Sequence, residues 1–144
     1  MFLRMEVIIH HAMRSHGGLY RLLELRSELL RSKALNPTEP MSPLLIIGPD
    51  QLFHVLAGYR QVLHVPFHFL PNSHLLPGFD GRPAPRLVHE MYNQALRGLG
   101  LQSLQPFPVE HVGSAYGICI EGQAGWKVVF SGDTRPCQSV RSYL

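Results

Sequence analysis

The sequence predicts an α/β fold in which strands and helices alternate and a pair of strands follows. Three observations predict it. Short apolar runs at residues 7–9 and 43–48 each give way to turn residues and then to a stretch with helical spacing of its apolar side chains. A third such stretch, RLVHEMYNQALRGLG, ends at glycine, a common way to terminate a helix. Two β-rich runs, AYGICIEG and GWKVVFSG, then lie either side of a polar turn. The chain has 144 residues, of which 45% are hydrophobic and 16% charged, a globular composition. Residues 1–144 are read as one domain.

Taken in order, residues 7–9 form a short apolar strand and Gly17-Gly18 punctuate it. The stretch LYRLLELRSELLRS should be a helix with Leu19, Leu22, Leu23, Leu29 and Leu30 on one face. PLLIIG is a strand buried on both faces, because its apolar run does not alternate. Pro49-Asp50 open a second helix with Leu52, Val55, Leu56 and Tyr59 at helical spacing. Residues 65–85, rich in Pro, Gly and His, read as a short strand and loop. After the third helix come the two last strands, joined by Gln123-Ala124-Gly125, the second of them expected to be buried. The chain shows no longer repeat and no low-complexity tract.

Thirteen Lys+Arg against ten Asp+Glu give a formal charge of +3, which is compatible with nucleic acid and too small to argue for it. Cys119 and Cys137 form no C-x-x-C pair and no disulfide framework, and no stretch resembles a signal peptide or a membrane span. The expectation is an intracellular protein with no membrane contact, its nuclear, cytoplasmic or mitochondrial place left open. Nine histidines are many for such a chain. His54, His64, His68, His74 and His89 lack partners at ligand spacing and read as surface or satisfied core residues. The stretches VIIHHAMRSHGG and PVEHVGSAYGICI are where a metal site would be sought.

VVFSGDTRPC places Asp133 where a strand leaves the core. Asp beside Gly is ordinary turn chemistry, the carboxylate bonding backbone N–H groups ahead of it. A carboxylate fixed at a strand end can also hold a metal or polarise a substrate with little positional freedom. The residue alone does not decide between the two.

In the order HHAMRSHGGL, PLLIIGPDQL, VEHVGSAYG and GWKVVFSGDTRPC, the chain resembles ribonuclease Z (tRNase Z) over roughly residues 5–137, most closely the catalytic C-terminal half of the long form. The resemblance implies a partial metallo-β-lactamase (αββα) fold, with mixed sheets flanked by helices and without the family's C-terminal strands and helices, hence an incomplete domain exposing apolar surface. It implies two zinc ions and cleavage of the 3′ trailer from precursor tRNA. By it, His111 is a zinc ligand and Asp133 the carboxylate bridging two dications about 4 Å apart, whose repulsion such a bridge offsets. Ser131 and Thr134 become neighbouring or phosphate-facing hydroxyls, with turn hydrogen bonding as the alternative.

The family's first motif, His-x-His-x-Asp-His, is where the sequence departs. Counted back from Gly18-Leu19, His10 takes the first His position while Ala12, Arg14 and Ser15 replace the second His, the Asp and the third His. Counted forward from VIIHHA, His11 is the second His and Ile9 stands at the first. Neither count supplies the Asp, so His10 or His11 is at most one remaining ligand and no catalytic residue is assigned. Arg14 would set a cation where a dication should sit, although a turn opening a helix suits a phosphate contact. Two functional readings stay open. One is a tRNA 3′-end processing endoribonuclease with impaired hydrolysis. The other is a non-catalytic fragment or pseudoenzyme binding RNA or a partner chain, a homodimer included.

Overall fold

The computed structural model describes residues 6–9, 16–35, 44–63 and 65–143. Its first half alternates as the sequence suggests: β1 (Glu6–Ile9), α1 (His16–Leu35), β2 (Leu44–Gly48), α2 (Asp50–Leu63) and β3 (Phe67–Pro71), followed by a 3-10 turn at Asn72–Leu75 and α3 (Arg86–Gly98). The second half holds three strands, β4 (Leu101–Val109), β5 (Ala115–Gly122) and β6 (Lys127–Phe130), and a short helix α4 (Gln138–Tyr143). Strands β1, β2 and β3 form a parallel sheet in that order, and β4, β5 and β6 an antiparallel one.

Strand β2 shows why its sequence is continuously apolar. Leu44 and Ile46 face Leu19 and Leu23 of α1 and Leu52 and Leu56 of α2. Leu45 and Ile47 face the second sheet, packing with Leu101, Leu104 and Ile118 and with Val88 and Met91 of α3. All four side chains are at most 1% exposed. Burying each contributes about 1.5–3 kcal/mol, enough to fix this strand at the centre. The layers are therefore α1 and α2, the parallel sheet, and the antiparallel sheet, with α3 closing the space between the sheets. Tyr143 of α4 stacks on Phe107 at 4.4 Å and 17°, on the face of β4 opposite Leu104, which starts the outer helical layer.

Four expectations are corrected. On α1 the buried stripe runs through Leu19, Leu23, Arg26 and Ser27, spaced by three or four residues, whereas Leu22 and Leu29 point outward. On α2, Leu52 and Leu56 are buried and Val55 is exposed. The region between α3 and β5 contains β4, hidden in the sequence by Pro106 and Pro108. Those prolines are tolerated because β4 is an edge strand, and residues of one parity on it direct their backbone groups away from β5. Leu104 shares that parity, and its carbonyl accepts a hydrogen bond from the Tyr92 hydroxyl at 2.7 Å. Finally, β6 is not buried: it pairs only with β5, and Val128 and Phe130 are each 52% exposed.

Gly117 of β5 is required by packing. A Cβ there would lie 2.4 Å from the Phe107 ring and 3.0 Å from the Phe130 carbonyl oxygen. The aromatic ring crosses the strand only because no side chain is there.

Candidate functional site

In a parallel sheet, ligands are received beyond the carboxyl ends of the strands, where loops carry side chains away from the packed core. The carboxyl end of β2 leads through Gly48 and Pro49 into α2, whose first residue, Asp50, accepts a hydrogen bond from Ser73 Oγ at 3.0 Å. The next residue, Gln51, donates from Nε2 to Ser114 Oγ at 2.9 Å. That single bond ties the end of the parallel sheet to the loop of residues 110–114, which joins β4 to β5 and carries His111.

The segment leaving β6 meets the same loop. Gly132, at φ 62°, turns the chain in a conformation glycine adopts freely. The Arg135 amide then donates to the Glu110 carbonyl at 2.9 Å, and the Thr134 hydroxyl lies 3.3 Å from that carbonyl and 2.8 Å from the Arg135 carbonyl. Residues 131–137 and the His111 loop are thus held side by side. His111 and Asp133 are both exposed. Among the described residues the Asp133 carboxylate accepts no hydrogen bond, so the turn is made by Thr134, Arg135 and Ser131, whose hydroxyl donates to the Gly132 carbonyl at 3.2 Å.

Two further groups near these segments have shifted acidities. Hydrogen bonding with Ser139 Oγ, 3.3 Å away, and with the Glu110 backbone lowers the Cys137 thiol to about 7. Burial holds His74 below the usual imidazole range; the Asp50 charge opposes this and nearby His89 adds to it.

No family model matches the chain. Individual proteins do. The chain is 34% identical over 130 residues to the Homo sapiens protein named zinc phosphodiesterase ELAC protein 2, covering 87% of this chain and 15% of that protein. It is 27% identical over 163 residues to tRNase Z TRZ3, mitochondrial, of Arabidopsis thaliana, covering 85% of this chain and 18% of that one. A crystal structure of a long form RNase Z from yeast has the same fold over 92% of this chain and 21% of its own, with a TM-score of 0.62 at 15% identity. The chain belongs to the tRNase Z family of the metallo-β-lactamase superfamily. Its fold is part of that superfamily's fold, since it spans only about 15% of the length of the curated relatives it matches.

Catalytic zinc takes three protein ligands and a water, and structural zinc takes four. This tRNase Z relative forms no group of three or more His, Cys, Asp or Glu able to hold a metal among its described residues. His111 and Asp133 stand on neighbouring segments, and among the described residues no third such group joins them. His10, His11 and Arg14 lie outside the described residues. Ser131 and Thr134 both make local turn bonds.

Spacing along the sequence gave no warning of one grouping. His54, His68 and His74, each without a partner at ligand spacing, line a single cavity of about 700 Å³ together with Asp50. They are distributed over α2, β3 and the 3-10 turn, elements that are brought together by sheet pairing. The signal available was Pro49-Asp50 at the end of a fully buried strand, the place where a parallel sheet receives ligands. Among the described residues no helix is long and apolar enough to cross a membrane.

Proposed function

We propose that this chain is an RNA-binding member of the tRNase Z family whose hydrolytic site is impaired, with precursor tRNA as its substrate class. The observation that carries the reading is the donor set. His111 and Asp133 are carried on neighbouring segments held together through the Glu110 carbonyl, and the first motif, on either count, lacks its Asp and at least one His. In that role Asp133 would be the bridging carboxylate and His111 a ligand to one ion, with His10 or His11 the remaining candidate. Zinc supplies an activated water in such sites. This chain's own contribution is to hold one imidazole and one carboxylate on segments fixed through the Glu110 carbonyl, and it supplies no identified group to take the proton from the water.

That the Asp133 carboxylate accepts no hydrogen bond among the described residues supports the family role over the turn role, because a turn-forming Asp would spend its oxygens on the backbone amides ahead of it. The second functional reading, a wholly non-catalytic fragment that binds a partner chain, is favoured by the half-exposed Val128 and Phe130 on β6.

The test is incubation of the 144-residue chain with end-labelled precursor tRNA in zinc or manganese, followed on native and denaturing gels. The expected result is a retarded complex that weakens as salt rises, without release of the 3′ trailer. Trailer release that Asp133→Ala abolishes would overturn the impairment. Absence of any complex would overturn RNA binding.

A further inference from the structure

Beside the His111 loop, between α2, β3 and the loop of residues 79–85, lies a groove of about 700 Å³, within the range of small-ligand sites. Asp50 lines it, and the next residue, Gln51, bonds Ser114, three residues from His111, so the groove and the candidate site share the start of α2. Its lining combines two chemistries. Phe53, 46% exposed, lies 5.5 Å from Phe69 with the rings tilted by 47°, presenting an aromatic surface to solvent. Arg60 and Arg82 line the same groove, and the Arg60 guanidinium lies 5.5 Å from the centre of the Phe67 ring. Asp50 is the sole carboxylate among the described residues lining the groove, and its Oδ1 is already occupied by Ser73.

Exposed rings and cationic side chains in one groove suit a single-stranded nucleic acid. Bases stack on the rings and phosphates meet the guanidinium groups, with little dependence on sequence. A duplex hides its base faces and cannot use the rings in this way. A protein partner would take the aromatic surface but would leave two arginines facing a groove with one carboxylate, itself hydrogen-bonded, so charge complementarity favours the polyanion.

We propose that the groove lined by Phe53, Phe69, Arg60 and Arg82 binds a single-stranded RNA segment, by base stacking and phosphate contact, and leads it toward His111. The proposal rests on the RNA-binding reading above and adds the surface that does the binding. It is independent of zinc, because none of these four residues is a candidate ligand.

The experiment is fluorescence anisotropy with a labelled oligouridylate, run on the intact chain and on Phe53→Ala, Arg60→Ala with Arg82→Ala, and Arg97→Ala, an exposed cation of α3 outside the groove lining. Circular dichroism confirms that each variant folds; Phe53, Arg60 and Arg82 are all exposed, so the fold should tolerate their replacement. Phe53→Ala should weaken binding about tenfold, the loss of one stacked base. The double arginine variant should reduce the slope of log affinity against log salt by about 1.4, two phosphate contacts on a single strand. Arg97→Ala should bind as the parent does. Equal oligouridylate binding by all variants, or equal affinity for an RNA duplex, would overturn the groove while leaving RNA binding by the chain standing if precursor tRNA is still retained. Failure to bind both oligouridylate and precursor tRNA would overturn the groove and the wider reading together.

Discussion

The runs LLIIG of β2 and KVVF of β6 are both short and rich in apolar, β-branched residues, yet the molecule treats them differently. Strand β2 has a hydrogen-bonded strand on each side and packed layers on both faces. Strand β6 pairs with β5 alone. By register, Phe130 and Val128 share the face of Ile118 and Ile120, which joins the inner core, but the residues that cover that core come from β2, β3, β4 and α3 and stop short of β6. An apolar run therefore specifies a strand, and its neighbours decide whether that strand is buried. The exposed face of β6, with Trp126 also 46% exposed, is the kind of surface that another layer of protein covers.

Mutation can break this contrast directly. Ile46→Ala in β2 should cost about 2–5 kcal/mol, read as a large fall in the urea midpoint, since the side chain is fully buried and its neighbours cannot close the cavity. A loss below about 1 kcal/mol would mean that β2 is not the centre of the core. Gly117→Ala should cost about 1–3 kcal/mol through overpacking, because its Cβ would enter the Phe107 ring. That substitution sharpens the comparison within the second sheet, where β5 is packed on the face that carries α4.

The two cysteines divide along the same line. Cys137 sits in the segment after β6 with its thiol lowered to about 7, while burial pushes the Cys119 thiol of β5 upward. At pH 7 about half of Cys137 is thiolate, the nucleophilic form, so iodoacetamide should label it roughly tenfold faster than Cys119 in the native chain. The labelling rate at Cys137 should fall as pH drops below 7, because its thiolate is then protonated. Equal rates at the two sites would place Cys119 in solvent and contradict the packing of β5. The smallest effect is expected at β6 itself: Val128→Ser should alter stability by no more than about 0.5 kcal/mol in the isolated chain. A loss of 2 kcal/mol or more, read from the same urea transition, would show that this face is covered in solution.

Much of the first sheet was legible because both of its signals were local. A fully apolar β2 implied burial on both faces, and Pro49-Asp50 marked the start of α2. The strand AYGICIEG matches β5 residue for residue. Strand β4 was not legible, since Pro106 and Pro108 argue against a strand until its edge position is known. On α1 the side chains that face inward include Arg26 and Ser27, so the leucines alone suggested a different stripe. At the candidate site the SGDT segment pointed to Asp133, and the resemblance paired it with His111. What joins their segments is the Glu110 carbonyl, a backbone group that no sequence pattern marks. The groove with Arg60 and Arg82 was hidden for a similar reason: its residues are contributed by elements distant in sequence and made adjacent by parallel pairing.

The central proposal is that His111 and Asp133 act as metal donors in a zinc site that this chain does not complete; among the described residues no third donor joins them. The most direct test is elemental analysis of zinc bound to the purified, folded 144-residue chain after dialysis, beside the His111→Ala and Asp133→Ala variants. The account predicts well under one equivalent of zinc in the parent, with little change in either variant. Two equivalents in the parent, lost on replacing Asp133, would contradict it and restore the hydrolytic enzyme.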